Sequence, residues 1–326
     1  MVHAAERRQT RPAAGGRDGA VLLMEKLEAS GNDFLVVFVD GPATDEPRSA
    51  WGAPLVADQI RLLCDRHRGV GADGVIVARR GDLGADLDMV LYNADGTEAE
   101  MSGNGIRCLV HAAVADGIVP ADDADDADGV RGMRGMRGVR VATAAGIRRV
   151  DYQARADGSG WARVDMGTVR LGREVQSPLP GARARLADVG NPHLVVIGDV
   201  ELDSVDFDVL GRQANERAGG PVNLEVVRPG RAGADFELRV LERGVGETQA
   251  CGTGTCAVAA VAYAFGMAGE TVTVDNPGGR LWVRLGAAHG DGGDPLGGVA
   301  FEEVELAGPV RKVADVHVDP ALLGEA

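Results

Sequence analysis

Two glycine-rich turns in the sequence each place one reactive side chain directly before an apolar stretch of helical length. The turn SGNG at 102–105 presents the hydroxyl of Ser102, and the turn CGTG at 251–254 presents the thiol of Cys251. The start of a helix offers unpaired backbone N–H groups and the positive end of the helix dipole, and glycine lets the backbone approach a ligand closely. Such a turn favours a bound carboxylate, and a thiolate over a thiol. Cys251 is therefore predicted to be an activated cysteine.

A carboxylate and a guanidinium stand shortly before the second turn, at the end of a predicted strand. Arg243 could hold a substrate carboxylate through two parallel hydrogen bonds. Glu242 could adjust the pKa of a neighbouring group. The alternative is a structural ion pair at the strand end, but the adjoining turn favours a functional pair.

Metal and nucleotide chemistry have little support in the sequence. The six histidines never occur as HxH or HExxH, and the four cysteines form neither a CxxC pair nor a zinc spacing. No Walker loop and no strand-GxGxxG-helix unit is present, and no lysine stands in a pattern that suggests a pyridoxal phosphate Schiff base. No metal site and no cofactor are therefore expected. The remaining groups suit proton transfer at carbon between two facing side chains.

The elements that must position these groups can be read from the spacing of apolar residues. Runs rich in Val, Ile and Leu, bounded by Gly, Asp, Asn and Pro, predict strands at 34–40, 74–79, 86–93, 193–200, 223–229, 236–244, 271–276 and 281–286. Helical spacing predicts helices at 54–69, 106–117, 205–217 and 255–266. The second and fourth helices are nearly all apolar, as expected of buried helices, and each follows one of the two turns. This repeated order predicts two related halves, and the alternative is that two glycine-rich turns precede two helices by chance.

Length and composition set further bounds. The chain has 326 residues, 45% of them hydrophobic and only 4% aromatic, so aliphatic cores and two domains or one large one are expected. A net charge of -15 repels phosphate backbones, so no nucleic-acid partner is expected. No apolar run approaches the roughly 20 residues that cross a bilayer, and no secretion signal is evident. Four cysteines are too few for a disulfide framework, which favours the cytoplasm. Three of these cysteines are predicted to lie in cores: Cys64, Cys108 and Cys256.

Several segments are predicted to lie outside the cores. Residues 1–23 are interpreted as a flexible tail, with a weak organellar address as the alternative and Met24 as a second possible start. Residues 121–140 combine an acidic block with RGM and RGV repeats, which predicts a surface insertion between strands. An RNA-binding RG box is the weaker alternative there. Residues 286–298 are predicted to form a solvated loop.

Five blocks of sequence resemble the diaminopimelate epimerase family, from about Met24 to about Val313. The blocks are SGNDFLVV (30–37), CDRHRGVGADG (64–74), YNADGTEAEMSGNGIRC (92–108), GNPHLVV (190–196) and ERGVGETQACGTGTCA (242–257). The resemblance implies an α+β fold of two pseudo-symmetric domains, each a β-barrel-like sheet around a central helix, with the active site between them. We accordingly expect one half at 24–149 and the other at 150–303, with 304–326 returning to the first half.

The resemblance also implies an activity. Members interconvert LL- and meso-2,6-diaminopimelate by two-base proton transfer at the α-carbon, without a cofactor, for lysine and peptidoglycan biosynthesis. A cytoplasmic homodimer acting on a small amino acid, with no membrane partner, is therefore expected.

The resemblance assigns roles to individual residues. Cys251 matches one of the two catalytic cysteines, and Ser102 stands at the position of the other. His193 and Glu242 match groups that adjust the cysteine pKa values. The substrate-binding positions are Asn32, Asn93, Gly103, Asn104, Asn191, Asn223, Glu242, Arg243, Gly252 and Thr253.

Ser102 departs from the family pattern, which has CGNG where this chain has SGNG. A thiol has a reference pKa of about 8.5, whereas a serine hydroxyl is a far weaker acid and needs a strong neighbouring base. Cys108 is a poor substitute, because it lies roughly 9 Å further along the helix axis. Three outcomes stay open: an epimerase in which Ser102 or a water held by it relays protons, a sister enzyme of the proline racemase and hydroxyproline epimerase type, or a protein that only binds an amino acid. The first is favoured because every substrate-holding block is present.

Overall fold

A computed structural model describes residues 22–39, 55–82, 84–119, 136–290 and 298–324. These residues form seventeen strands and four α-helices, which confirms the predicted α+β class. The helices are α1 (Ala57–Cys64), α2 (Gly103–Ala115), α3 (Phe207–Ala218) and α4 (Gly252–Ala264). The strands are β1 (Leu22–Ala29), β2 (Asn32–Phe38), β3 (Gly74–Arg80), β4 (Leu87–Asn93), β5 (Glu98–Ala99), β6 (Arg137–Thr143), β7 (Gly146–Ala154), β8 (Gly160–Val175), β9 (Arg183–Asp188), β10 (Pro192–Ile197), β11 (Asn223–Pro229), β12 (Phe236–Glu242), β13 (Gly246–Thr248), β14 (Thr271–Asn276), β15 (Gly279–Arg284), β16 (Ala288–Gly290) and β17 (Val299–Val318).

One closed ring of strands surrounds α2. The order is β1, β2, β3, β4, β6, β7, β8 and β17, with parallel pairing at β2–β3 and β4–β6 and antiparallel pairing elsewhere. The helix contacts strands on all sides of this ring. Its apolar sequence follows from that position, because a helix enclosed by a sheet has no face left for water.

A second closed ring of the same design surrounds α4. Its order is β9, β10, β11, β12, β14, β15, β17 and β8, with parallel pairing at β10–β11 and β12–β14. The repeated order supports the two expected pseudo-symmetric halves. The proposed boundaries at 24–149, 150–303 and 304–326 stay a prediction.

Two long strands belong to both rings. β8 pairs with β7 through residues 160–164 and with β9 through residues 170–175. β17 pairs with β15 through residues 305–307 and with β1 through residues 311–318. The strands β8 and β17 also pair with each other, so the two rings share one wall.

Helices α1 and α3 pack outside the rings. Each covers a separate cluster of buried aliphatic side chains, on β2 and β3 for α1 and on β10 and β11 for α3. α1 is shorter than the predicted helix at 54–69, because the carboxylate of Asp65 accepts hydrogen bonds from the backbone N–H groups of His67 and Arg68. Such a side-chain turn competes with helical hydrogen bonding.

All eight predicted strands are present, but nine further strands were not predicted. The unpredicted strands are β1, β5, β6, β7, β8, β9, β13, β16 and β17. The sequence of β17 explains why it was not predicted. Its buried residues alternate with Glu, Arg and Lys, and it contains Gly308 and Pro309. It therefore lacks the continuous apolar run from which the other strands were predicted. α2 and α4 each begin three residues earlier than predicted, directly after Ser102 and Cys251.

Two predicted segment boundaries are wrong. Leu22 and Leu23, assigned to the tail, lie in β1, where Leu22 is fully buried. Residues 137–140, assigned to the surface insertion, lie in β6, where the side chain of Val139 is fully buried in the core. The loop predicted at 286–298 contains the short strand β16. Residues 1–21 of the tail and 121–135 of the insertion lie outside the described residues, and Met136 is buried. Within the described ranges, no helix is long and apolar enough to cross a membrane.

Candidate active site

Ser102 and Cys251 occupy the same structural position in the two halves. Each is the residue that caps its helix, with extended backbone before the first helical turn. The Ser102 Oγ accepts a hydrogen bond from the N–H of Gly105 at 3.0 Å, and the Cys251 Sγ accepts one from the N–H of Gly254 at 3.3 Å. Both side chains therefore stand at the positive end of a helix dipole.

The beginnings of α2 and α4 lie next to each other. A β-carbon placed on Gly252 would lie 3.6 Å from the Cα of Gly103. A β-carbon on either glycine would lie 2.9 Å from Cδ2 of Leu306, in the shared strand β17. Only glycine therefore fits at both positions without displacing Leu306. The two sets of free N–H groups open toward one region, which suits a bound carboxylate.

A cavity of about 530 Å³ lies at this junction. Its lining includes most of the predicted site residues, namely Asn32, Asn93, Ser102, Gly103, Asn104, Asn191, Glu242, Arg243, Cys251, Gly252 and Thr253. The sequence prediction missed four polar residues of the lining: Asp73, Asp95, Thr97 and Thr248. All four fall within the motif blocks at 64–74, 92–108 and 242–257, but none belongs to the two glycine-rich turns from which the site was predicted.

Cys251 does not have the electrostatic setting of a thiolate in the ligand-free site. Burial, followed by the carboxylates of Glu242 and Glu225, raises the pKa of Cys251 well above its usual value. The Thr253 hydroxyl, 3.3 Å from Sγ, and the Gly254 N–H act in the opposite direction. In the ligand-free site, desolvation therefore outweighs the helix terminus, and the activation of Cys251 stays a prediction.

Glu242 lies against Cys251 and is itself a perturbed group. Burial is the largest cause that raises the pKa of Glu242, and the charge of Glu225 adds to it. The hydroxyl of Thr248 and the thiol of Cys251 donate hydrogen bonds to the Glu242 carboxylate and lower its pKa in part. A carboxylate with a raised pKa beside a thiol is a suitable acceptor for the thiol proton.

His193, predicted to adjust the cysteine pKa values, and Asn223, predicted to bind substrate, are not among the residues that line the cavity. Asn223 is buried, and its amide oxygen accepts a hydrogen bond from the Arg243 backbone N–H at 2.8 Å. His193 is fully buried and bonds to Asn191 and to Glu225, a residue that the sequence prediction missed. His193 is the second residue of β10 and Asn223 is the first residue of β11. Their hydrogen bonds to Asn191 and to the Arg243 backbone support two residues that do line the cavity.

A chain of polar contacts supports the other side of the cavity. The Asn104 amide donates to Oδ1 of Asn32, and the Arg107 guanidinium donates to Oδ1 of Asn104 at 2.5 Å. Arg107 is fully buried in α2, and burial lowers its pKa to about 10. An arginine in an otherwise apolar helix was the available sequence signal for this residue. Asn32 also donates to Asp73 at 3.2 Å.

In the part of the chain that the structure describes, no carboxylate is hydrogen-bonded to the hydroxyl of Ser102. Among the described residues, the hydrogen bond from Gly105 is the contact made by its hydroxyl. No carboxylate corresponds on this side to Glu242, because the equivalent end of β4 carries Asn93, whose amide donates to Thr97 at 3.1 Å. The two capping side chains therefore differ in their neighbours as well as in their own atoms.

The remaining cysteines are buried in the cores, as predicted. Burial raises the pKa of the Cys64 thiol to about 12 and raises those of Cys108 and Cys256 further. Across the described ranges, no group of three or more His, Cys, Asp or Glu side chains is arranged to hold a metal ion.

The amino-acid sequence of this chain is similar to the sequences of known proteins. The family model for diaminopimelate epimerase matches residues 27–172 and 185–292. A diaminopimelate epimerase of Synechococcus sp. strain JA-2-3B'a(2-13) is 36% identical over 287 residues, covering 81% of this chain and 90% of the relative. The diaminopimelate epimerase of Alkalilimnicola ehrlichii is 34% identical over 316 residues, covering 90% of this chain and 97% of the relative.

Solved structures of more distant proteins share the fold. A probable proline racemase from Agrobacterium radiobacter K84 superposes with a TM-score of 0.64 at 18% identity, covering 94% of this chain and 96% of the other. A hydroxyproline epimerase from Agrobacterium vitis, with bound trans-4-hydroxy-L-proline, gives 0.64 at 17% identity, covering 94% and 95%. At these identities the likeness concerns the fold alone.

Proposed function

The chain belongs to the diaminopimelate epimerase family, and we propose that it interconverts LL- and meso-2,6-diaminopimelate with Cys251 on one face of the α-carbon and Ser102 on the other. The observation that carries this proposal is the junction of α2 and α4, where both capping side chains line one cavity. A two-base proton transfer needs two groups on opposite faces of one carbon. The glycines between the two groups leave room for the carboxylate of that carbon.

The α-carboxylate binds at the paired helix beginnings. The free N–H groups of 103–104 and 252–253 receive its oxygens, where the two helix dipoles stabilise negative charge. The same donors stabilise the charge that moves onto the carboxylate when the α-proton leaves. Positioning of this kind lowers the barrier because the N–H groups are already oriented before the reaction.

Cys251 needs an acceptor for its own proton before it can act as a base. Glu242 fills this role, because its carboxylate accepts the Cys251 hydrogen bond and its raised pKa favours uptake of a proton. The thiolate then removes the α-proton. In the reverse direction Cys251 donates as a thiol, the form that its raised pKa favours.

Ser102 serves the opposite face through its hydroxyl or a water that it holds. A hydroxyl gives up a proton poorly without a base, and its single contact comes from the Gly105 N–H. Solvent that enters through the cavity therefore resupplies and removes the proton on this face. We expect slower turnover than with a thiol at the same position.

The distal amino-acid end of the substrate binds along the outer lining. Arg243 holds the distal carboxylate, and the amides of Asn32, Asn93 and Asn191 bind the remaining polar atoms. Asn223 holds the backbone of Arg243 in place.

We also expect a homodimer in the cytoplasm. Sedimentation of the purified protein tests the oligomeric state, and fractionation of cells tests the location.

The direct test is to incubate the purified protein with LL-diaminopimelate or meso-diaminopimelate and to separate the isomers. We expect each isomer to yield the other without an added cofactor. Absence of conversion in both directions would refute the proposed function. Conversion of hydroxyproline or proline instead would indicate the sister class, and binding of diaminopimelate without conversion would indicate a binding protein.

A further inference from the structure

Arg107 is a fully buried cation behind the first turn of α2. Its side chain is 0% exposed. Among the described residues, no carboxylate forms an ion pair with it, and the charge of Glu28 acts on it without a hydrogen bond. Burying a charge without a counter-ion is costly, so the position of Arg107 calls for an explanation.

The guanidinium donates its hydrogen bonds to neutral oxygen atoms. Nε donates to the Gly103 carbonyl at 3.1 Å, and Nη1 donates to the carbonyl of Pro309 in β17 at 2.8 Å. Nη2 donates to Oδ1 of Asn104 at 2.5 Å and to Oγ of Ser30 at 3.4 Å. These bonds satisfy most of the polar hydrogens but leave the positive charge of Arg107 without a counter-ion.

The shared strand β17 leaves a slot for this guanidinium. A β-carbon on Gly308 would lie 2.2 Å from Nη1 of Arg107. The slot therefore exists because residue 308 has no side chain. The guanidinium is held between α2, β17 and the turn at Ser30.

Two of the contacts of Arg107 reach residues that line the cavity. The Gly103 carbonyl and the Asn104 N–H belong to one peptide group, and a donor on the carbonyl strengthens the N–H as a donor. The side-chain amide of Asn104 donates in turn to Oδ1 of Asn32. Gly103, Asn104 and Asn32 all line the cavity. The charge of Arg107 therefore acts on the cavity through groups that can touch a ligand.

The second half of the molecule carries no cation at the equivalent position. Arg107 stands five residues after Ser102, and Cys256 stands five residues after Cys251. Cys256 is also fully buried, and burial raises the pKa of its thiol, so it stays neutral. The charged groups that act on Cys251 are carboxylates. The positive charge is therefore a feature of the α2 side alone.

We propose that Arg107 is a positioning residue whose charge is the counter-ion of the substrate α-carboxylate, acting through the Gly103–Asn104 peptide and the Asn104 side chain. The inference rests on the proposed function, in which the beginnings of α2 and α4 receive that carboxylate. Arg107 itself is not among the residues that line the cavity. The alternative is a purely structural link between α2 and β17, which predicts no dependence on charge.

The test compares Arg107→Lys, which keeps a positive charge, with Arg107→Met, which is a long side chain without charge. Both variants lose the planar guanidinium, so the difference between them isolates the charge. The KM for LL-diaminopimelate should rise by about tenfold or more in Arg107→Met, as for other residues that orient a binding group from behind it. At about pH 6 the rise should be smaller in Arg107→Lys, because burial lowers a lysine pKa but the charge is kept below that pKa.

The lysine variant should show a pH dependence that a structural role would not produce. The charge of a buried lysine is present at lower pH and is lost as pH rises through its lowered pKa. The KM of Arg107→Lys should therefore approach that of Arg107→Met as pH rises to about 9. The KM ratio of Arg107→Met to the unaltered protein should stay constant over this range, because the pKa of Arg107 is about 10.

The ionisable groups around the guanidinium do not account for such a change. Cys108 on α2 and Glu28 on β1 are the two whose charges act on Arg107. Burial raises the pKa of Cys108, which stays a thiol, and Glu28 pairs with Arg311 of β17.

A second measurement reports on the turn without turnover. Acetate is a carboxylate with no other functional group, and its binding can be followed by the backbone amide NMR signals of Gly103 and Asn104. In Arg107→Met, saturation should require about tenfold more acetate than in the unaltered protein. A protein that does not interconvert diaminopimelate would still report by this measurement whether the charge of Arg107 acts on the turn.

Arg228→Met is the matched control. Arg228 in β11 is also largely buried, but its Nε donates to the Glu237 carboxylate at 2.8 Å, and it does not line the cavity. This variant should change neither the KM for diaminopimelate nor the concentration of acetate that saturates the turn.

Several outcomes would overturn the proposal. One is an equal KM in Arg107→Lys and Arg107→Met at every pH, and another is an unchanged affinity for acetate in Arg107→Met. If Arg107→Met does not fold, Arg107→Lys decides. A KM ratio of Arg107→Lys to the unaltered protein that grows with pH supports the proposal, and a constant ratio contradicts it.

Discussion

At the scale of single residues, the two faces of the site differ in acidity and in their neighbours. Cys251 has two carboxylates close by, and burial raises its pKa well above the usual range. Ser102 has a hydrogen bond from a backbone N–H and no described carboxylate bonded to it. In the function that we propose, Cys251 therefore exchanges its proton with Glu242, whereas the Ser102 face exchanges its proton with solvent. This inequality leads to two predictions about individual side chains.

Replacing Ser102 by cysteine should raise turnover. A thiol is a far stronger acid than a hydroxyl and exchanges protons without a strong base, and the Gly105 N–H already points at this position. Steady-state interconversion of both isomers measures the effect. Ser102→Ala is the control, because its side chain has no exchangeable proton on this face. A sharp loss in Ser102→Cys would mean that the site has adapted to the hydroxyl.

Replacing Glu242 by glutamine should lower the pKa of Cys251. The raised pKa of Cys251 means that the free thiol predominates at neutral pH and that the thiolate forms only as pH rises toward that pKa. Removal of the Glu242 charge eliminates the second-largest cause of the shift, so thiolate should appear at lower pH. The rate at which iodoacetamide alkylates Cys251, measured by mass spectrometry at a series of pH values, gives the pKa of Cys251. An alkylation profile that moves to higher pH would contradict this account, even though turnover falls in the same variant.

At the scale of elements, the site is built where two turns of the same design meet. The capping residue, the following glycine and the start of an enclosed helix recur in α2 and α4. These features were predictable, because the turn motif is local and each enclosed helix is apolar throughout. The pairing of His193 with Glu225 was not, since it joins residues of adjacent parallel strands that lie 32 positions apart. Glu225 stands within the predicted strand 223–229, where its neighbours gave no sign of a polar partner.

The fourth residues of the two turns, Gly105 and Gly254, should respond differently to replacement by alanine. Gly254→Ala places a methyl group against the Glu225 carboxylate, which has no solvent route of escape, whereas Gly105→Ala meets Cδ1 of Ile76 at 3.3 Å. We therefore expect Gly254→Ala to cost more stability and more turnover than Gly105→Ala. Thermal unfolding and isomer conversion of the matched pair measure both effects. A larger loss in Gly105→Ala would show that the packing behind Cys251 is less restrictive than described.

At the scale of the whole molecule, two strands join the rings into one body. β8 and β17 each pair with strands of both rings, and Leu306 in β17 packs beneath the beginnings of α2 and α4. Neither ring can close without these shared strands. The sequence predicted neither of them, because their buried residues alternate with charged ones. The two enclosed helices were predictable from the repeated turns, but the shared strands that set the distance between Ser102 and Cys251 were not.

Leu306→Ala should destabilise the whole molecule rather than one half. Leu306 is fully buried, so its truncation should lower the free energy of unfolding by about 2–5 kcal/mol. Urea unfolding followed by circular dichroism and by tryptophan fluorescence tests this. Trp161 and Trp282, whose ring centroids lie 4.6 Å apart, contribute to the fluorescence. The two signals should change together in one transition at lower urea. Two separate transitions would contradict a body joined by β8 and β17.

The most direct test of the central claim is the fate of the α-hydrogen in deuterated water. With LL- or meso-diaminopimelate as substrate, we expect the newly formed isomer to carry one deuterium at the inverted α-carbon, while the substrate recovered at early times keeps its hydrogen. This pattern follows because one face removes the proton and the other face supplies a solvent deuteron. Cys251→Ala should abolish the exchange from both isomers. Deuterium in the recovered substrate at the same rate as in the product, or exchange that persists without Cys251, would contradict a transfer between Cys251 and the Ser102 face.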